Sequence, residues 1–374
     1  MRGPMAPRIP IVDLDAEYAE VGADVEQAVL SVLRSRRFIL GPETEAFETA
    51  LAERVGVRHA VGVGSGTEAL VLALRAVGVG PGDLVVTSPL SFFATVEAIV
   101  WAGARPVFVD VEPGGFNLDP SGLEAALGPR TRAVVPVHLF GRCADMPRIR
   151  AIADRTGVPV IEDAAQAIGA ARGGRRAGAW GAAGCFSFYP AKALGAAGDA
   201  GAITTDDAEL ASRLRTLRFH GQAAGKGHVA MGTTSRLDTI QAAVLLAKLP
   251  HLDRWIAQRA AHVERYREEL AGCDDVRLPE SGVDESPAWS QLVLRSPRAA
   301  AIRRALDAAE IEWRHYYPRP MYREAAFGAD ALPAGACPEA ERACEESISI
   351  PIYPQLPPAS IERVCDVIRG AVGV

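Results

Sequence analysis

The chain has 374 residues, of which 49% are hydrophobic and 23% are charged, and its formal net charge is −6 at pH 7. This length and composition are typical of a soluble globular protein with two domains, and they exclude a disordered chain. Charges of both signs are mixed along the sequence, so there is no basic stripe for a nucleic acid, and the arginine-rich tract Arg34, Arg36 and Arg37 is more typical of a solvated helix face than of a phosphate-binding patch.

The N-terminus and the cysteines restrict the compartment and the kind of site. Residues 1–10 lack the apolar region of a signal peptide, and no uncharged run reaches the roughly 18 residues of a membrane span, so we expect no membrane partner. The six cysteines form no CxxC pattern, which favours reduced thiols in the cytoplasm over disulfides or a zinc site. The histidines form no HExxH motif, and we expect no metal centre.

Short apolar runs alternate with helical patterns between His59 and about Thr205. Residues 68–77 and 144–156 have helical periodicity, whereas most of the apolar runs are too short for helices and are rich in Val, Ile and Phe. This alternation predicts an α/β fold with a mostly parallel central sheet flanked by helices. The predicted strands are 60–63, 84–88, 106–110, 133–137, 158–162, 184–188 and 201–204.

The pattern changes in the last third of the chain. Two long helices are predicted at 236–249 and 255–270, separated by Pro250. Beyond Gly272 a short strand at 291–295, a helix at 298–309 and a proline-rich tract at 316–320 follow one another. We therefore expect a large domain over residues 1–254, including an N-terminal arm, and a smaller C-terminal α+β domain over 255–374.

The end of the first predicted strand has the features of a phosphate site. Gly64, Ser65, Gly66 and Thr67 precede a helix, whose N-terminus offers free N–H groups and the positive end of a dipole. The two hydroxyls fit an ordinary helix cap equally well. A dinucleotide fingerprint is rejected because the last glycine of G-x-G-x-x-G is replaced by Thr67, and because the candidate ribose acid, Asp83, precedes the second strand.

Two further strand ends carry an acid and a lysine. Asp163 follows the apolar run 158–162, where a carboxylate either caps the next helix or pairs with a positive group such as a protonated heterocycle nitrogen. Lys192 follows the aromatic run that ends at 188. Burial lowers the pKa of an amine, as a Schiff-base lysine requires, although an isolated lysine of this kind more often extends to the surface.

Together these three strand ends match one cofactor, because ligands bind at the carboxyl ends of parallel strands. Pyridoxal 5′-phosphate needs donors for its phosphate, an acid for its pyridine nitrogen and an amine for its aldehyde. Asp163 and Lys192 are 29 residues apart, about one strand–helix–strand excursion, so they fit neighbouring strand ends. The sequence therefore predicts a pyridoxal-phosphate enzyme with Lys192 and Asp163 as its catalytic residues.

Seven motifs in order resemble those of one family. They are FILG at 38–41, SGT at 65–67, PLSFFAT at 89–95, VHLFG at 137–141, EDAAQ at 162–166, SFYPAK at 187–192 and SRLDTIQAA at 235–243. The chain is similar over nearly its whole length to the DegT/DnrJ/StrS-type nucleotide-sugar aminotransferases, which are pyridoxal-phosphate enzymes of fold type I. This resemblance implies the fold-type I architecture and a cytoplasmic enzyme of amino-sugar biosynthesis, for polysaccharides or antibiotics.

The resemblance also implies roles for individual residues. Lys192 binds the cofactor as a Schiff base, Asp163 pairs with the pyridine nitrogen, and Gln166 contacts the ring or its 3-hydroxyl. Phe92 stacks on the ring, unless it is a core residue. The phosphate is bound by three residues, of which Ser187 is alternatively an ordinary strand hydroxyl: Gly66, Thr67 and Ser187.

Members of this family are typically homodimers with active sites at the subunit interface. Residues 232–236 resemble the loop that enters the neighbouring site, where the family usually has Asn at the position of Thr234. The hydroxyl of Thr234 replaces that amide in the implied phosphate contact. Two further departures beside the lysine, Ala193 for a common Asn and Ala200 for a Gly, remove no catalytic group.

The implied reaction is transamination from an amino acid, by resemblance L-glutamate, to a 3-keto or 4-keto deoxyhexose nucleotide, with pyridoxamine 5′-phosphate as the intermediate form of the cofactor. Four aromatic residues in the HYYP and PIYP segments are candidates for substrate contacts or for ordinary packing: His315, Tyr316, Tyr317 and Tyr353. Alternatives are an aminotransferase for a cyclitol ketone, an aminobenzoate-forming enzyme, a pyridoxal-phosphate sugar dehydratase and a non-catalytic sensor. Lys192 argues against the dehydratases, which carry histidine at that position.

Overall fold

The computed structural model describes residues 8–223, 225–330 and 332–374. Of residues 1–10, in which we predict no signal peptide, the first seven lie outside the described residues. A long helix, α1 (Leu14–Ser35), and a second helix, α2 (Pro42–Val55), precede the first strand. Both end at a residue with left-handed backbone, Arg36 and Gly56, which stops helix propagation.

Within the described residues a sheet of seven strands forms the centre of the molecule. Its order is β3-β2-β4-β5-β6-β7-β1, and bridges between Val134 and Val160 and between Val137 and Asp163 join its two halves. Every neighbouring pair is parallel except the two that involve β7, which confirms the mostly parallel sheet predicted from the sequence. The strands are β1 (His59–Val63), β2 (Leu84–Thr87), β3 (Arg105–Phe108), β4 (Thr131–Val135), β5 (Ile161–Asp163), β6 (Ala183–Ser187) and β7 (Gly201–Thr205).

Helices cover both faces of this sheet because its central strands are apolar on both sides. On one face α3 (Gly66–Ala76) and α7 (Ala208–Leu217) pack against the edge of the sheet that contains β1 and β7, and α4 (Ala94–Trp101) packs against α3 and β3. On the other face α2, α6 (Met146–Thr156) and α8 (Thr239–Lys248) bury their apolar sides. A four-residue helix, α5 (Leu123–Ala126), precedes β4.

The two long helices predicted around Pro250 are less separated than the sequence indicates. The first begins at Thr239, after the extended residue Asp238, instead of at Arg236. A single 3₁₀ turn (Leu249–His251) that contains Pro250 leads directly into α9 (Leu252–Glu269). Proline fits the first turn of a helix, where its missing N–H has no intrahelical partner, so Pro250 bends the chain without interrupting the helical path for long.

The C-terminal part has its own apolar core. The antiparallel strands β8 (Leu292–Arg295) and β9 (Ser347–Ile350) pack against α9, α10 (Ala299–Ala308) and α12 (Pro358–Val372). Helix α9 contributes Leu252 to the core of the large sheet and Val263 to this second core. The predicted boundary at 254/255 stays a prediction, and the two cores meet within α9.

The remaining elements are short. Helix α11 (Pro338–Glu346) precedes β9, and 3₁₀ turns occupy Pro120–Gly122, Leu139–Gly141, Met321–Arg323 and Ala325–Asp330. Two-residue strands pair Ala171–Arg172 with Arg175–Arg176 and with Glu285–Ser286, and Gln222–Ala223 with Gly227–His228. None of the helices in the described part of the chain combines the length and apolar character that crossing a bilayer requires.

Candidate active site

A cavity of about 470 Å³ opens at the carboxyl ends of the central strands, where β1, β5 and β6 end. The sheet contributes the turns after these strands, and the C-terminal part closes the cavity with β9 and with residues 290–291 and 316–317. The predicted residues that line it together are Gly66, Thr67, Phe92, Asp163, Gln166, Ser187, Lys192, Tyr316 and Tyr317.

The first turn of α3 forms one end of the cavity. Ser65 is the N-cap of this helix, and its Oγ accepts the N–H of Glu68 at 3.2 Å. The Ser65 hydroxyl therefore acts as an ordinary helix cap. Gly66 and Thr67 line the cavity, and the first N–H groups of a helix have no intrahelical acceptor. A Cβ on Gly66 would lie 2.6 Å from Cβ of Ser187, so only glycine lets the helix start approach the end of β6 this closely. The arrangement is a cradle for an anion.

Asp163 is 5% exposed at the end of β5, and its carboxylate is held from two sides. The Thr95 hydroxyl donates to Oδ2 at 2.7 Å, and the Ala165 N–H donates to Oδ1 at 3.2 Å. Burial raises the pKa of Asp163, while these hydrogen bonds and Lys192 oppose that rise. A buried carboxylate of this kind favours a cationic partner, such as a protonated ring nitrogen.

Lys192 lies in a turn that follows β6. Its backbone N–H donates to the Tyr189 carbonyl at 2.9 Å, and the neighbouring bonds from Phe188 N–H to Ala200 O and from Ala196 N–H to Phe188 O, each 2.8 Å, fold the following segment against the strand end. Burial lowers the pKa of the Lys192 amine to about 8, although the Asp163 carboxylate acts in the opposite direction. With this pKa about a tenth of the amine is neutral, and nucleophilic, at pH 7.

Gln166 connects the sheet to the C-terminal part. Its Oε1 accepts the N–H of Phe140 at 2.8 Å, and its Nε2 donates to Oη of Tyr317 at 2.9 Å. The rings of Phe140 and Tyr317 stack with centroids 5.8 Å apart. Burial raises the pKa of Tyr317 well above its ordinary value, so this hydroxyl is a neutral hydrogen-bonding group.

Three predicted residues lie away from the cavity. His315 donates from Nε2 to the Cys344 carbonyl at 2.6 Å within the C-terminal part, and Tyr353 is buried in the core of that part. A substrate contact for these two residues stays a prediction. Thr234 lies on the segment 232–236, where its Oγ1 hydrogen bonds with Nε2 of His220 at 2.5 Å.

Several lining residues had no place in the sequence-based site. Thr95 and Ser91, whose hydroxyls are 2.6 Å apart, belong to the recognised PLSFFAT motif, which was a signal for them. Ser290 and Gln291 directly precede β8, and Ile11 and Val12 come from the N-terminal arm. The arm reaches the cavity because Ile9 forms a parallel bridge with Ile311. No local pattern at these four positions indicates such a contact.

The donor groups of the cavity fit pyridoxal phosphate. The helix start and Ser187 suit the phosphate, Asp163 suits the pyridine nitrogen, and Lys192 suits the aldehyde, and all three groups line one cavity. The lining residues with a formal charge are Asp163, Lys192 and Asp199, so the wall that the C-terminal part contributes is neutral. Among the described residues no group of His, Cys, Asp and Glu side chains is arranged to hold a metal ion.

Comparison with known proteins gives relatives over the full length of the chain. A dTDP-3-amino-3,4,6-trideoxy-alpha-D-glucose transaminase from Streptomyces venezuelae is 44% identical over 97% of this chain and 96% of the relative. A UDP-N-acetyl-3-dehydro-alpha-D-glucosamine 3-aminotransferase from Acidithiobacillus ferrooxidans is 43% identical over 96% of this chain and 97% of the relative.

A solved structure has the same fold as this chain. The crystal structure of S. venezuelae DesV in complex with a ketimine intermediate has a TM-score of 0.96 and 44% identity, covering 99% of this chain and 100% of DesV. The model of the DegT/DnrJ/EryC1/StrS aminotransferase family matches residues 20–369. The resemblance seen in the sequence motifs is thus confirmed, and this chain belongs to the DegT/DnrJ/EryC1/StrS aminotransferase family.

Proposed function

We propose that this aminotransferase uses pyridoxal 5′-phosphate to transfer an amino group from an amino acid, L-glutamate, to the C3 carbonyl of a keto-deoxyhexose nucleotide. The observation that carries the proposal is the convergence of Lys192, Asp163 and the Gly66–Ser187 cradle on one cavity. The choice of a nucleotide sugar and of C3 rests on the two curated relatives, which are both named for 3-amino sugars.

Each end of the cofactor has a place in the cavity. The first turn of α3, Thr67 and Ser187 would bind the phosphate, and Asp163, held by Thr95, would keep the proton on the pyridine nitrogen. Gln166 would contact the edge of the ring and Phe92 its face. When bound, the cofactor supplies an electron sink that stabilises the carbanion formed at the donor's α carbon.

Lys192 performs the proton transfers. With the amino donor bound in its place, the free Nζ of Lys192 would take the proton from the donor's α carbon and would later give that proton back. The lowered pKa of about 8 keeps part of this amine unprotonated at neutral pH, as a base requires. A general base held in place typically contributes on the order of 10²–10⁴-fold to the rate.

The walls of the cavity suit a neutral, hydroxyl-bearing ring. Ser290, Gln291, Tyr316 and Tyr317 offer hydrogen bonds without charge, next to apolar side chains from β9 and the N-terminal arm. We assign the sugar ring to this wall. The groups that neutralise the diphosphate and the donor carboxylates lie outside the lining residues of this single subunit, which supports a homodimer with shared sites.

Exposed aromatic side chains at the cavity also support the dimer. Phe92 is 63% exposed and Tyr189 is 55% exposed, although both line the cavity. Large apolar surfaces of this kind are typical of sites that a partner covers. A second copy would cover them and bring its segment 232–236, with Thr234, to the phosphate end.

Absorbance spectroscopy tests the proposal. Purified protein reconstituted with pyridoxal phosphate should show a visible band that is lost on borohydride reduction and in Lys192→Ala, and peptide mapping should find the reduced cofactor on Lys192. L-glutamate should convert this band to that of pyridoxamine phosphate. A protein that cannot be loaded with cofactor would contradict the whole proposal, and one that is loaded but reacts with no amino donor would contradict the transaminase function.

The substrate is tested in the reverse direction. The pyridoxal form should accept an amino group from a 3-amino deoxyhexose nucleotide and restore pyridoxamine phosphate. The 4-amino isomer with the same nucleotide is the matched control, and faster reaction of that isomer would move the assignment to C4. Amino cyclitols should react slowly and without saturation of the rate. Efficient turnover of one of them would favour the cyclitol alternative.

A further inference from the structure

The carboxylate of Glu162, next to the cofactor-binding Asp163, is saturated with hydrogen-bond donors. Its side chain is fully buried. Oε1 accepts the N–H groups of Trp180 and Gly181, each at 2.7 Å, and Oε2 accepts the N–H of Gly178 and lies 2.8 Å from Nε2 of His138. All three backbone partners can only donate, so Glu162 is present as the carboxylate.

His138 is held in one tautomer. Its Nδ1 accepts the N–H of Ala144 at 3.1 Å, so Nδ1 carries no proton. The ring proton is therefore on Nε2 and is donated to Glu162, and the imidazole is neutral. His138 is fully buried as well. A neutral imidazole and a saturated carboxylate are a rigid pair and not an acid–base couple.

The pair is attached directly to the backbone of Asp163. The His138 N–H donates to the Asp163 carbonyl at 3.0 Å, and the Asp163 N–H donates to the Pro136 carbonyl at 2.9 Å. Successive residues of a strand point to opposite faces, so Glu162 points away from the cavity to which Asp163 contributes. Neither member of the pair lines the cavity.

The turn that holds Glu162 is itself packed without space. A Cβ on Gly181 would lie 2.3 Å from the Val160 carbonyl, and one on Gly184 would lie 2.2 Å from Cα of Gly178. Glu162 therefore anchors the last residues of β5 to a turn that has no room to move, and His138 anchors them to the end of β4. A buried network in which every member is satisfied gives the backbone one arrangement.

We propose that His138 and Glu162 are positioning residues that fix the backbone of Asp163 so that its carboxylate meets the pyridine nitrogen of the cofactor. The proposal rests on the pyridoxal-phosphate function proposed above. The pair acts on the cofactor only through Asp163. Because displacement of a catalytic group by about 1 Å costs on the order of 10²-fold in rate, a loosened strand end lowers turnover even though no catalytic group is removed.

Three substitutions separate the parts of this pair. Glu162→Gln keeps the side-chain volume but places an NH₂ group opposite N–H donors. His138 cannot compensate by moving its proton to Nδ1, because Nδ1 already accepts the N–H of Ala144. His138→Asn places an oxygen near Nδ1 and loses the contact to Glu162. His138→Gln places an NH₂ near Nε2 and keeps that contact, so it should rescue what His138→Asn loses.

The readout is the pH titration of the visible band of the cofactor-loaded enzyme. A protonated pyridine nitrogen disfavours a second positive charge on the Schiff-base nitrogen, so weakening the Asp163 contact raises the midpoint of this titration. We expect Glu162→Gln and His138→Asn to raise the midpoint by about one pH unit and to lower kcat at least tenfold, with His138→Gln close to the wild type. Asp163→Asn serves as the reference, because it removes the carboxylate and gives the full shift of the titration midpoint.

A control distinguishes positioning from loss of stability. Leu214→Ala, in the buried face of α7, destabilises the fold without contact to the pair and should leave the midpoint unchanged. The proposal is overturned if Glu162→Gln, or His138→Asn where Glu162→Gln does not fold, binds cofactor and titrates like the wild type. It is also overturned if His138→Gln shifts as far as His138→Asn. A wild-type enzyme that shows no visible cofactor band would instead contradict the proposed pyridoxal-phosphate function. Failure of the positioning role and failure of the function therefore give different results.

Discussion

At the scale of single residues, burial acts in opposite directions on the pKa values of the two proposed catalytic groups. It raises the pKa of the Asp163 carboxyl and lowers the pKa of the Lys192 amine to about 8, because low dielectric surroundings disfavour either charge. Each charge partly offsets the effect on the other. The same environment thus favours a nucleophilic amine and an acid that requires a cationic partner.

This environment predicts the pH dependence of cofactor uptake. Only the neutral amine attacks the aldehyde, and with a pKa of about 8 the neutral fraction of Lys192 rises as the pH approaches 8 and levels off above it. The rate of reconstitution of the apoenzyme should therefore rise about tenfold from pH 6 to pH 7 and become nearly constant above about pH 9. Stopped-flow absorbance measures this rate, with N-acetyl-lysine in solution as the control. A rate that still rises steeply from pH 9 to pH 10 would contradict it.

Two tyrosines predicted for the substrate have different surroundings and form a matched pair. Tyr317 lines the cavity and hydrogen bonds with Gln166, whereas Tyr353 is buried in the core of the C-terminal part. Tyr317→Phe should raise KM for the sugar substrate or lower kcat by about 5- to 30-fold, the cost of one lost hydrogen bond with an unpaired Gln166. Tyr353→Phe should change both constants less than twofold. Steady-state kinetics of the two variants measures both constants. Equal effects of Tyr317→Phe and Tyr353→Phe on kcat and KM would contradict a place for Tyr317 in the substrate site.

At the scale of elements, the site depends on how closely the start of α3 approaches the end of β6. A helix N-terminus binds an anion only where the backbone N–H groups are accessible to it, and a side chain at Gly66 would separate the helix from Ser187. The SGT motif forms the start of this helix: Ser65 caps it, and Gly66 in its first turn lets it approach the neighbouring strand.

A pair of glycine substitutions tests this approach. Gly66→Ala should weaken binding of pyridoxal phosphate at least tenfold, about 1.4 kcal/mol, because the new Cβ would lie 2.6 Å from Cβ of Ser187 and must displace the cradle. Gly80→Ala is the control, since its Cβ would meet no atom within 4 Å. Titration of the apoenzyme with cofactor, followed by absorbance, gives both affinities. Similar affinities for the two variants would show that the cradle does not bind the phosphate.

At the scale of the whole molecule, three features of the cavity support the proposed homodimer. The cavity has a neutral C-terminal wall, exposed aromatic side chains at Phe92 and Tyr189, and no contribution from Thr234. All three features fit a two-fold dimer in which each subunit lends its segment 232–236 to the other, since a C₂ interface places the same patch of both copies together.

Mixing of subunits tests the shared site. Lys192→Ala removes the amine of one subunit, and Thr234→Asp places a carboxylate where the partner's phosphate would lie. Each variant alone should be nearly inactive. Random mixing by denaturation and refolding should restore up to about a quarter of the wild-type activity, because half of the dimers are mixed and each has one intact site. No recovery in mixed dimers, identified by differently tagged subunits, would place Thr234 outside the partner's site.

The sequence alone determined the fold class and predicted the chemical groups of the candidate site. The α/β pattern followed from short buried runs of Val, Ile and Phe, which are a local property of the chain. Gly66, Asp163 and Lys192 were recognisable because each follows a strand directly, and the carboxyl ends of parallel strands meet at one edge of a sheet. The motifs around them also identified the family, and one of these motifs, PLSFFAT, contains Thr95.

Only the tertiary structure decided which of the remaining residues reach the site. His315, Tyr316, Tyr317 and Tyr353 look alike in the sequence, yet the packing of β9 and its neighbours turns two toward the cavity and two into the C-terminal part. The arm reaches the cavity through a bridge between residues about 300 positions apart in the chain. Such contacts depend on how whole elements pack, whereas the chemistry at a strand end is set by neighbours in the sequence, and this difference separates what the sequence determined from what the fold decided.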